Sequence, residues 1–91
     1  MLLNRPPAKD WKVYDSIPGG GQAIENPNAR HRLIGVVFLG DGDFVSHPSG
    51  REDDSTETVP VEAGQFWALN FDLIHEDTTA LPLVVLWGPL Q

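Results

Sequence analysis

The 91-residue chain has no cysteine, one methionine and one tyrosine, and its six Lys and Arg face thirteen Asp and Glu. Without cysteine it can form no disulfide staple and no thiolate-ligated zinc or iron–sulfur site, and either redox compartment suits it. Apolar runs stop at about eight residues, where a bilayer crossing needs roughly 20. Met1-Leu2-Leu3 runs directly into Asn4 and Arg5, and no secretory leader is expected there. Helical periodicity of useful length and internal repeats are also missing. The shortage of cations gives a net charge of −7 and a pI near 4.6. Such a surface repels phosphate backbones and anionic lipid, so neither a nucleic-acid nor a membrane partner is expected. The length admits one domain, whose folding would bury roughly 60–65% of the extended-chain surface, a thin core.

What is present divides near residue 31. Residues 1–30 hold Pro6, Pro7, Pro18, Pro27 and the run Gly19-Gly20-Gly21, with no sustained apolar period. Pro6-Pro7 favours an extended path and the triple glycine is maximally permissive. Trp11, Val13 and Ile17, with Tyr14 beside them, form the one apolar cluster, and side chains of that size pack somewhere. The segment is therefore expected to be an extended N-terminal arm lying across something, a neighbouring subunit included, with Trp11, Val13 and Tyr14 as its contact.

From residue 31 the pattern is β. A β-branched and aromatic run over 33–39 ends at Gly40-Asp41-Gly42, a tight-turn signal, and 43–47 is expected to return as the second strand of a hairpin. An acidic loop covers 51–56. The strand over 57–61 contains Pro60, which removes a backbone donor and assigns it to an edge or a strand end. Strands over 65–75 and 81–87 follow. Along 65–75, Trp67, Leu69, Phe71 and Leu73 share one face, and Ala68, Asn70 and Asp72 the other, with apolar Phe66 and Ile74 at its ends. The strands over 33–39 and 81–87 are apolar on both faces. An antiparallel sheet usually has one wet face, and residues 31–91 are too few for three layers. The surplus face must then be covered by the arm, by another copy of the chain or by a larger assembly.

Candidate chemistry is sparse. His31, His47 and His75 lie at expected strand ends, and two of them could meet beside Asp43 or Glu76, but no pair has the local spacing of a metal-ligand pair. Asp41-Gly42-Asp43 suits turn chemistry, and Arg51-Glu52-Asp53-Asp54 a solvated loop; neither has the ligand order of a calcium loop. Gly19-Gly20-Gly21-Gln22 lacks the Lys and the flanking strand and helix of a phosphate loop. Ser46 and Ser49 flank His47 without a nucleophile-elbow context. No catalytic residue, metal or cofactor is expected. Trp67 and Trp87 continue the buried period and suit core or interface anchoring, together with Phe71, Leu83 and Val85.

One ordered set of short motifs has a family likeness. Arg32-Leu33-Ile34 leading to Gly40-Asp41-Gly42-Asp43, then Val61-Glu62-Ala63-Gly64, then Thr78-Thr79-Ala80 leading to Val85-Leu86-Trp87, resembles the small spike-base proteins of tailed phages and gene transfer agents. The likeness covers about residues 31–88; residues 1–30, the acidic stretch 48–56 and His75-Glu76-Asp77 depart from it. It implies a non-enzymatic virion protein, assembled in a bacterial host, that sits on the capsid surface as a decoration or spike-base protein. The implied partners are other copies of the chain, the major capsid protein or neighbouring virion proteins, and a spike fibre.

These readings converge on an all-β fold. The expected form is a small antiparallel β-sandwich or open barrel of five to six strands, with 1–30 as the arm and 31–91 as the compact domain. The rivals to a head component are a tail, baseplate or connector component of the virion, and a small jelly-roll or cupin-like ligand or metal binder.

Overall fold

A computed structural model describes residues 8–89; the Pro6-Pro7 pair of the expected arm lies outside them. Eight strands occur among the described residues, β1 (Asp10–Tyr14), β2 (Gln22–Ala23), β3 (His31–Phe38), β4 (Gly42–Pro48), β5 (Glu57–Val61), β6 (Phe66–Trp67), β7 (Phe71–Ile74) and β8 (Leu83–Pro89), and no helix. They form two antiparallel four-stranded sheets, ordered β1-β8-β3-β6 and β2-β7-β4-β5. The particle measures 34 × 29 × 19 Å, and its short axis suits two twisted sheets stacked about 10 Å apart. The all-β fold is as the residue patterns predict.

The core is built from inward positions of both sheets: Tyr14, Val36, Phe38, Leu83, Val85 and Trp87 from the first, and Phe44, Val61, Phe71 and Ile74 from the second. Phe44 joins the layers. Its ring meets Phe38 across the sandwich and Phe71 beside it, both edge-on with centroids 5.1 Å apart. Such aromatic pairs add about 0.5–1.5 kcal/mol each beyond area burial.

The connections differ from the hairpin plan. β3 and β4 do not pair with each other; Gly40-Asp41-Gly42 carries the chain from the first sheet to the second. The backbone decides this. A Cβ on Gly40 would lie 2.2 Å from Leu81 O, so the chain there runs hard against the segment feeding β8. The Asp41 carboxylate accepts the Ala63 N–H at 2.8 Å, tying this crossing to the next one, between β5 and β6. Among these strands only β4 and β5 form a sequential hairpin, closed by the acidic loop, and Pro60 sits in β5 at the sheet edge, where its missing donor costs no ladder bond.

The strand expected over 65–75 is two strands. The chain leaves the first sheet after Trp67 and joins the second at Phe71, crossing at Ala68-Leu69-Asn70. Phe71 and Ile74 both enter the core because Asp72 is an extra residue in the β4–β7 register, with Ser46 opposite Ile74, His47 opposite Leu73 and Pro48 opposite Phe71. A bulge in β3 does the same: Leu33 opposes Trp87 and Gly35 opposes Leu86, leaving Ile34 extra. Leu33 thereby shares the inward side with Val36 and Phe38, which an unbroken two-residue pleat would not allow.

Residues 10–14 and 22–23 are strands of the two sheets. β1 pairs with β8 over its whole length, and the Lys9 N–H extends the ladder to Trp87 O at 2.8 Å. β2 pairs with β7, and Ile24 N–H donates to Asp72 O at 2.9 Å. Strand pairing therefore does not follow the division at residue 30, because the edges of β7 and β8 draw the preceding segment into their ladders.

Candidate interaction surface

The two sheets differ in what they turn outward. The outer positions of the β4–β5 hairpin carry Asp43, His47, Thr58 and Pro60 around a buried Val45, and the segment after β7 bonds the backbone beside it. Val45 N–H donates to Thr78 Oγ1 and the same hydroxyl donates to Val45 O, both at 3.0 Å. The His75 N–H donates to Val45 O, and Thr79 and Ala80 N–H donate to Asp43 O, so this segment takes the place of a strand beside β4. That sheet is finished with polar groups.

The first sheet has an apolar outer face. Register places Val13, Val84, Val37 and Phe66 in one row that crosses all four strands. Trp11, Leu86 and Gly35 form the neighbouring row. Leu39 extends the Val37 side past the end of β3, held to the ladder by its N–H on Pro82 O at 2.9 Å. Trp11, Val13 and Leu39 are 64%, 50% and 52% exposed, the large exposed hydrophobic residues of the described chain, and all three belong to this face. Val37, Phe66, Val84 and Leu86 are half-buried by their neighbours.

Gly35 keeps the face continuous. A Cβ there would stand 2.4 Å from Trp67 O and 2.9 Å from two ring carbons of Phe66. The Phe66 ring therefore lies across the bare glycine, filling with aromatic surface the place a side chain would occupy. Charge is confined to the ends. Lys9 and Arg32, both exposed, lie on either side of Gly88 at one end of the strands, and exposed Asp15 follows β1 at the other. Between them the outward positions carry no ionisable residue. Beside β6 a groove of about 430 Å³, lined by Arg32, Leu33, Ile34, Phe66, Ala68, Leu69 and Asn70, continues this face around the sheet edge.

The anchors expected from the sequence separate into two groups. Phe71, Leu83, Val85, Trp87 and Tyr14 are core residues, and Trp67 packs against that core partly buried. Tyr14 thus parts from its expected companions: alternation along β1 turns it inward opposite Leu83, while Trp11 and Val13 face out. The Trp87 indole Nε1 is buried without a hydrogen-bond partner, so the side chain serves packing. Leu39, Val37, Phe66, Val84 and Leu86 complete the surface. The signal for Val37, Leu39, Val84 and Leu86 was the two-sided apolar character of the strands over 33–39 and 81–87; Phe66, on β6, had no such signal.

The histidines are held apart, each beside its own carboxylate. His31 Nδ1 lies 2.6 Å from Asp10, His47 Nδ1 2.7 Å from Asp72 and His75 Nδ1 3.5 Å from Asp77. Among the described residues no three His, Asp or Glu converge in a way that could hold a metal ion. His47 also places Nε2 2.6 Å from Asp53 O, so both ring nitrogens face acceptors. The Asp53 carbonyl first, and then the Asp72 carboxylate, raise its pKa above the ordinary 6.5. The ring ties β4, the β7 bulge and the acidic loop together. Within that loop Arg51 pairs with Glu57 at 2.9 Å and donates to Ser55, while Ser55 holds the Asp53 carboxyl below its ordinary range through its hydroxyl and then its N–H.

Compared with known proteins, the chain matches no family model, no curated protein and no solved structure.

Proposed function

We propose that the protein is a non-enzymatic structural component of a phage-type virion, a capsid-surface decoration or spike-base protein that associates with copies of itself and anchors a fibre or spike. The observation that carries this reading is the apolar outer face of the β1-β8-β3-β6 sheet, with Trp11, Val13 and Leu39 exposed on it. A sheet with one face in the core normally turns polar residues to water on the other, as the β4–β5 side of this molecule does. A contiguous patch of this kind on a small acidic protein marks a contact with another protein. The ordered motifs from Arg32 to Trp87 that resemble spike-base proteins supply the kind of assembly.

Localisation tests the reading. Particles released from cells that carry the gene are purified on a density gradient, and an antibody to the chain is imaged on them. Co-sedimentation with intact particles and label on the head surface are expected. Label on the tail would move the protein to a tail, baseplate or connector position, and recovery of the chain solely as free protein would overturn the proposal.

A further inference from the structure

We propose that the outer face of the β1-β8-β3-β6 sheet is the seat of a second copy of this chain, the two copies stacking that face against itself about a two-fold axis. The inference rests on the reading of the chain as a self-associating component and says which surface does it and with what symmetry.

Three observations lead there. The first is the number of patches. The exposed large hydrophobics of the described residues lie together on one face, while the outer β4–β5 surface is polar. A head-to-tail contact needs two different complementary surfaces; a molecule with one apolar patch can bury it against a copy only by matching the patch to itself, which is an isologous, two-fold contact. The second is size. Strands of five, seven, eight and two residues, about 4.8 Å apart and rising about 3.3 Å per residue, present roughly 350 Å² in projection. Side-chain relief and the rim bring this towards roughly 600 Å² per partner, the low end of specific interfaces, where micromolar association is expected. The third is charge. Lys9 and Arg32 flank Gly88 at one end of the face, and Asp15 stands at the other. A two-fold axis lying in the interface and across the strands brings the cationic end of one copy over the acidic end of the other, whereas an axis along the strands would set like charges together. The first arrangement is the one favoured.

Sedimentation velocity on the full chain, from about 1 to 300 µM at 0.15 M salt, tests the proposal, with dimerisation at micromolar concentration expected. Trp11→Glu on β1 and Leu39→Glu beyond β3 alter exposed side chains, so both variants should melt within about 3 °C of the parent while each weakens dimerisation at least about tenfold. Thr58→Glu, on the polar face of the other sheet, should leave it unchanged. Loss of association in Trp11→Glu alone would place the contact at the β1 edge and overturn the stacked arrangement. Association that neither variant weakens would overturn this face while leaving self-association intact. A wild-type chain that stays monomeric throughout overturns the dimer. Binding of that monomer to purified particles, sensitive to Trp11→Glu, would then show the virion reading surviving with a different protein seated on the face.

Discussion

Thr78 shows how much one side chain can do when no strand is available. β4 has β7 beside it at Ser46 but not at Val45, and the Thr78 hydroxyl both accepts from and donates to the Val45 backbone at 4% exposure. Thr78→Val keeps the shape and strands the buried Val45 N–H, while the Val45 carbonyl keeps its bond from the His75 N–H. A loss of about 1–3 kcal/mol in urea denaturation is expected, and an unchanged midpoint would show that water replaces the hydroxyl. Gly35 works the other way, by having no side chain. Gly35→Ala drives a methyl into Trp67 O and the Phe66 ring, and a destabilisation of about 1–3 kcal/mol is expected in the same assay. His47 adds a pH dependence. Its folded pKa is raised, so its contribution is full below 6.5, the unfolded value, and falls away as pH rises through the folded value. The groups facing it are the Asp72 carboxylate, the Asp53 carbonyl and the Arg51 cation, whose repulsion is the weakest of these influences. Backbone amides of 50–56, corrected for intrinsic exchange, should therefore lose protection between pH 5.5 and 8.5, and His47→Gln should remove that difference.

At the scale of elements, the connections matter more than the strands. Apolar, β-branched stretches bounded by turn residues placed strands near 33–39, 43–47, 57–61 and 81–87, because such side chains suit a pleated surface and Gly, Pro and Asp end it. It did not show which sheet each strand joins. Gly-Asp-Gly is as good a signal for a hairpin as for a crossing, and what makes Gly40 a crossing is Leu81 O, far away in sequence. The bulges at Ile34 and Asp72 were hidden for the same reason, since an extra residue is defined against a partner strand. β1 carries an element-scale prediction. It covers the β8 edge and supplies Tyr14 to the core. Deleting residues 1–14 should abolish the cooperative thermal transition seen by circular dichroism, and a truncated chain melting within a few degrees of the parent would show β1 to be dispensable.

For the whole molecule, charge and greasy surface act against each other. Two copies of net charge −7 stacked with centres about 19 Å apart repel by about 10 kcal/mol in unscreened water and by about 1 kcal/mol at 0.15 M salt. A rim pair such as Lys9 with Asp15 contributes at most about 1 kcal/mol, so repulsion governs the salt response. Self-association should tighten as salt rises from about 20 to 200 mM, and weakening over that range would mean that rim pairs dominate.

The sequence by itself determined the all-β class, the edge position of Pro60 and the excess of apolar surface carried by the strands over 33–39 and 81–87. Each follows from local chemistry: side-chain alternation, a missing amide hydrogen and the simple count of apolar residues. Which side of those strands enters the core, where Trp11 and Val13 part from Tyr14, and that Val13, Val84, Val37 and Phe66 line up as one surface were decided by tertiary structure. A face exists only once strands distant in sequence are set side by side in register, and two bulges shift that register in ways no single strand can show.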